Sequence, residues 1–117
     1  MKPYQIIDVD ALEESMMNNK EIIKQMIPMY LGQGVQDFND LENAVEAHNH
    51  AEIKAKAHHI KPTMQYLGAT ELRLKFQELE DAGANQEPIN AIKDLFMDIK
   101  KDFELAMAEL KTYQESL

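Results

Sequence analysis

Two adjacent histidines, His58 and His59, lie in the run Ala57-His58-His59-Ile60-Lys61-Pro62-Thr63-Met64-Gln65-Tyr66-Leu67-Gly68-Ala69. Imidazole titrates near neutral pH and can serve as nucleophile, general base or metal ligand. The chain contains no cysteine, which excludes disulfides, thiolate catalysis and cysteine-type zinc sites. The other two histidines, His48 and His50, form a His-x-His pair at the expected break between helices, suited at best to weak metal binding. No Glu-x-x-His or His-x-x-x-His pair faces inward as a metal-binding bundle requires, so such a bundle is the most distant reading.

Helical phase separates the two central histidines. With the apolar set Ile53, Ala57, Ile60, Met64 and Leu67 taken as zero, a rotation of about 100° per residue places Lys61, Lys54, Gln65, His58 and Pro62 on one flank, between about 80° and 180°. His59 falls on the other flank at about 240°, beside Glu52 and Thr63. Neither histidine belongs to the apolar stripe. His59 fits an ordinary surface histidine. His58 stands between Lys54 and Lys61, a cationic strip on an acidic chain. That strip suits an anion arriving at the ring, and a phosphoryl group is the obvious one.

The elements that must position these residues are helices. Ala, Leu, Glu, Lys, Met and Gln dominate, and glycine and proline number only four each. Residues 1–8 read as a leader with the apolar pair Ile6-Ile7. A short helix over about 11–17 follows, with Asp8 or Asp10 as its cap. Asn18-x-x-Glu21 resembles a capping box opening a second helix over about 19–47, whose stripe is Ile23, Met26, Ile27, Tyr30, Gly34, Phe38, Leu41 and Val45. Pro28 predicts a kink there, and Gly34 predicts close approach of a neighbouring helix. Asn49-x-x-Glu52 caps the third helix, and Gly68-Ala69 closes it with a left-handed residue. Thr70 is the expected cap of a fourth helix, with Leu72, Phe76, Leu79 and Ala82 inward. Pro88 opens a fifth, with Ile89, Ile92, Phe96, Ile99, Phe103, Ala106, Leu110 and Tyr113 inward. Short loops between long amphipathic helices predict an all-α, antiparallel up-down-up-down four-helix bundle with a short extra N-terminal helix, one domain over 1–117.

Composition narrows the functions. The net charge is −9, and no basic run is interleaved with aromatics, which argues against nucleic acid and anionic membrane surfaces as partners. No run approaches a membrane span and the N-terminus has no apolar signal core, so a cytoplasmic location is expected.

His58-x-Ile60-Lys61, followed by Leu67-Gly68-Ala69, resembles the signature of histidine phosphotransfer (HPt) domains, and the likeness extends over nearly the whole helical pattern. The register makes His58 the phospho-accepting residue and gives His59 the variable position. One departure stands out: the residue after the lysine is Pro62, where the family usually has glycine. The missing N–H would have bonded the His58 carbonyl, so a bend at the histidine is expected.

The resemblance implies a shuttle between phospho-aspartates. Neutral His58 would attack the aspartyl phosphate of a receiver domain and later pass the group to a second receiver. Lys61, with Lys54 as a weaker second, would hold phosphoryl oxygens, and Gln65 would add a hydrogen bond. A hairpin folded about Ala69 puts position 80 level with 58. Glu80 can then accept a ring N–H and fix the tautomer, with an ordinary exposed glutamate as the alternative and Gln77 in reserve. The implied partners are response-regulator receivers or a hybrid histidine kinase. No cofactor of the chain's own is expected, Mg2+ coming with the receiver, and neither is autokinase activity. A monomer is expected. Met16 and Met17 are candidates for adaptable docking contacts, one of them as a lid on the bundle. The competing reading is an interaction-only bundle, a degenerate HPt domain that regulates without carrying phosphate.

Overall fold

The computed structural model describes residues 4–117, so residues 1–3 of the expected leader lie outside the described residues. Five helices follow in order: α1 (Val9–Ser15), α2 (Lys20–Glu46), α3 (His50–Tyr66), α4 (Thr70–Ala84) and α5 (Ile89–Glu115). Helix α3 packs between α2 and α4, and α5 closes the ring against both α2 and α4. The result is the expected antiparallel four-helix bundle, with α1 laid against α3. Its long dimension of 43 Å matches the roughly 40 Å span of a 27-residue helix such as α2 or α5. Among the described residues no helix is long and apolar enough to cross a membrane.

The apolar stripes meet in one core. Every predicted inward residue of α3 and α4 is buried, and α5 buries its stripe from Ile92 to Tyr113. Phe38 sits at the centre, stacked on Phe103 with ring centroids 4.2 Å apart and on Phe96 at 5.2 Å, with Phe76 edge-on at 6.3 Å. Such contacts add to the burial that already favours aromatic side chains in the interior. Ion pairs tie neighbouring helices at the rim. Lys75 on α4 holds Asp98 and Asp102 of α5, and Lys100 on α5 holds Glu42 of α2.

Caps differ from expectation at two helix starts. Asn19, not Asn18, caps α2, accepting from the amides of Glu21 and Ile22, while Asn18 takes a positive φ in the turn before it. Thr70 is the first helical residue of α4 and Ala69 is the uncapped N-cap. Ala69 is fully buried, so the tight turn rather than a side-chain cap fixes that start. Asp8 caps α1 and Asn49 caps α3 as the sequence suggests.

Both prolines lie within unbroken helices, Pro28 in α2 and Pro62 in α3. Each is exposed, so the carbonyls left without an intrahelical donor lie on the outer side of the bundle. The close helix approach expected at Gly34 occurs instead at Gly83. A Cβ on Gly34 would meet only the Met107 Sδ at 4.0 Å, whereas one on Gly83 would lie 2.9 Å from the His50 carbonyl oxygen and 3.0 Å from the Lys54 nitrogen. Gly83 therefore sets how tightly α4 lies on α3.

The N-terminal segment is pinned to one end of the bundle. Glu109, the one buried charged residue among those described, accepts the backbone N–H groups of Gln5, Ile6 and Ile7 at 2.7–3.0 Å. The Asp8 amide then donates to the Leu67 carbonyl at 3.1 Å. Gly68 makes this possible. It ends α3 at φ 70°, with the Ala69 amide donating to Met64 and its own amide to Gln65, the paired bonds of a Schellman motif. A Cβ there would also strike the Asp8 carbonyl oxygen at 2.7 Å.

Candidate functional site

The α3–α4 hairpin decides what faces His58. The chain reverses about Ala69, so positions 58 and 80 lie level, as do 61 and 77, and 65 and 73. Side chains of α4 at 73, 77 and 80 share a face because they recur at four- and three-residue steps. That face looks onto the His58 flank of α3.

His58 projects from α3 with its side chain 70% exposed, and its Nδ1 lies 3.1 Å from Glu80 Oε1. The same Glu80 oxygen accepts from Lys61 Nζ at 2.8 Å. Lys61 also donates to Gln77 Oε1, and Gln77 Nε2 donates to Asp81 Oδ1 at 2.9 Å. Glu80 and Lys61 are largely covered, with side chains 15% and 16% exposed, so the ring stands in water on a semi-buried polar base. Partial burial raises the Glu80 pKa, but hydrogen bonds from Lys61 and His58 and the lysine charge outweigh it, leaving the carboxyl below its ordinary value of 4.5. An ionised carboxylate only accepts. In the neutral ring this contact puts the proton on Nδ1 and leaves the lone pair on Nε2.

Of the residues marked in the sequence, His58, Lys61 and Glu80 come together in one hydrogen-bonded cluster. Gln65 makes no hydrogen bond to the ring but lines a groove of about 300 Å³ beside it, with His58, Lys61, Pro62, Tyr66 and Arg73. Lys54 is exposed, lies outside that groove and makes no ion pair among the described residues. Lys61 is not a free cation beside the ring, because its ammonium is turned onto α4. Gln77 holds Lys61 rather than the histidine. Asp81, Tyr66 and Arg73 had not been marked at all. The hairpin register that brings Glu80 to His58 pairs 77 with 61 and 73 with 65, and so contained the signal for Gln77 and Arg73.

His59 points to the other flank, where Nε2 lies 3.5 Å from Asp37 Oδ2 on α2. His50 Nε2–H donates to the Glu87 carbonyl at 2.8 Å, tying the start of α3 to the α4–α5 connection. The histidines are thus dispersed, and among the described residues no three metal-ligating side chains cluster. Met16 is a core residue, whereas Met17 is 83% exposed.

Residues 25–112 match the family model described as the Hpt domain, well over half of the chain. The chain belongs to the Hpt domain family, and its general role is histidine phosphotransfer within phosphorelay signalling. Among solved structures it is similar to the histidine-containing phosphotransfer protein B (HptB) of Pseudomonas aeruginosa PAO1, with a TM-score of 0.86 and 16% identity over 100% of this chain and 99% of that one. At that identity the likeness speaks for the fold. No curated protein matches the sequence.

Proposed function

We propose that this chain accepts a phosphoryl group from a receiver-domain aspartate on Nε2 of His58 and returns it to the aspartate of another receiver. The observation that carries this reading is the Nδ1–Glu80 contact, which leaves Nε2 as the exposed nucleophile. In the forward step the Nε2 lone pair forms an N–P bond as the P–O bond to the aspartyl carboxylate breaks. The ring keeps its Nδ1 proton, so it becomes positively charged, and Glu80 beside it balances that charge. On the return step the ring leaves as neutral imidazole, a good leaving group because Nδ1 is still protonated. Glu80 thus serves both directions by holding one proton in one place.

Lys61 fixes Glu80 in position and lies within a side-chain rotation of the incoming phosphoryl oxygens, while Gln65 and Lys54 border the approach. The only carboxylate at His58 is already bonded to two cationic or N–H donors, a poor set for a divalent metal. Mg2+ is accordingly expected with the receiver's acyl phosphate. The partners are receiver domains, carried by response regulators or hybrid kinases, acting on a cytoplasmic monomer. This function needs a positioned nucleophile and a docking face, nothing more.

The test is phosphoryl transfer from acetyl-phosphate-loaded receiver domains to wild type, His58→Gln and His59→Gln. Wild type and His59→Gln should take label and His58→Gln should not. Label lost in His59→Gln but kept in His58→Gln would reverse the register. No label on any of the three would favour the interaction-only bundle.

A further inference from the structure

Arg73 is the only arginine in the chain, and it stands in the groove beside His58. None of the ion pairs among the described residues engages it. The groove residues include two cations and no carboxylate, on a chain of net charge −9. One of the two cations, Lys61, is already neutralised by Glu80. Arg73 is therefore the cation of this groove that no ion pair neutralises, Lys54 lying outside the groove. Resting on the carrier reading above, we propose that Arg73 is a partner-selecting residue that receives a carboxylate side chain of the docked receiver.

The geometry separates this role from the chemistry at His58. Arg73 lies level with Gln65, seven residues along α3 from His58, which is about 10 Å along the helix axis. A phosphoryl group bonded to Nε2 occupies only the His58 end of the groove. The protein that delivers it must cover the remainder. Pro62 and the half-exposed ring of Tyr66 floor that stretch and can pack an aliphatic stem, while the planar guanidinium fork presents paired donors that match a carboxylate. Tyr66 is itself stacked on Tyr30 of α2, with ring centroids 6.4 Å apart, so the floor is braced. On an otherwise acidic protein, a single free arginine beside the nucleophile rewards a partner with an acid at the matching point and leaves other partners with an uncompensated charge.

The experiment compares two donors. One is the acetyl-phosphate-loaded receiver domain, from a panel, that labels wild type fastest; the other is phosphoramidate, a small donor that needs no docking. Arg73→Glu should raise KM for the receiver about tenfold or more with kcat little changed, Arg73→Lys should fall between it and wild type, and labelling by phosphoramidate should stay at the wild-type rate. That unchanged rate also establishes that the variant is folded. Reversing the matching acid on the receiver to arginine should restore most of the loss with Arg73→Glu. A receiver KM within about twofold of wild type in Arg73→Glu would overturn the proposal, as would an equal loss with phosphoramidate, which would place Arg73 in the chemical step. A wild type that takes no label on His58 from either donor would instead overturn the carrier reading.

Discussion

His58 and His59 are neighbours in sequence, have almost equal exposure, 70% and 67%, and each has a carboxylate within 3.5 Å. Exposure and a nearby acid therefore do not distinguish the proposed phospho-acceptor from its neighbour. The difference lies one layer further out. The carboxylate at His58 is anchored by Lys61, which is held by Gln77, which is held by Asp81. Asp37 at His59 sits at a longer distance, bonded to Gln33 one turn away on its own helix. Asp37 is as well covered as Glu80, 12% against 15% exposed, so the contrast rests on the shorter 3.1 Å contact and the charged Lys61 donor at Glu80, against 3.5 Å and a neutral amide donor at Asp37.

This contrast can be broken most severely at the rings themselves. His58→Gln should abolish acceptance of label from a receiver, while His59→Gln should stay within about twofold of wild type. Glu80→Ala comes next. It leaves Nδ1 without its acceptor and should slow receiver-driven transfer by about 10–100-fold, read as initial rates of labelling, with Glu80→Gln milder because the amide still accepts.

The same residue gives a pH signature. The folded Glu80 carboxyl is depressed below its ordinary value of 4.5. Its contribution to stability is therefore fully present above that value and lost as pH falls through the lower folded one. Urea midpoints of wild type and Glu80→Gln should differ at pH 7 and converge toward pH 3.

Gly83→Ala tests what brings the two helices so close. Helix propensity alone would make alanine stabilising by up to about 1 kcal/mol. The His50 and Lys54 backbones in its way predict instead a loss of about 1–3 kcal/mol in denaturant unfolding. Smallest of all, Asp37→Asn should alter transfer by less than about twofold, since it touches only the unanchored histidine.

Much of this was legible in the residue pattern. Helical periodicity assigned the buried set of α3 and all of that of α4 except Gly83, because only one face of a bundle helix can be buried. Phase alone placed His58 with Lys61 and Gln65 and put His59 elsewhere. The turn at Gly68 was legible too, since a left-handed residue after a helix favours glycine. What escaped were partnerships set by tertiary distance. Glu109 reads as one more polar residue on a helix, and only the fold brings three successive N–H groups of the N-terminal segment onto it. Gly83 reads as helix-ending punctuation, yet it is buried where the α3 backbone at His50 and Lys54 leaves no room for a Cβ. The orientation of Lys61 escaped for a similar reason. Its neighbours along α3 suggested a free cation, and its ion pair comes from α4.

The most direct measurement is nitrogen-15 and phosphorus-31 NMR on wild type labelled by a phosphorylated receiver, resolving which nitrogen carries phosphorus. The expected result is a single N–P coupling at His58 Nε2, with Nδ1 protonated and hydrogen-bonded. Phosphorus on His59, or on Nδ1 of His58, would contradict the account of Glu80 as the group that selects the nucleophile.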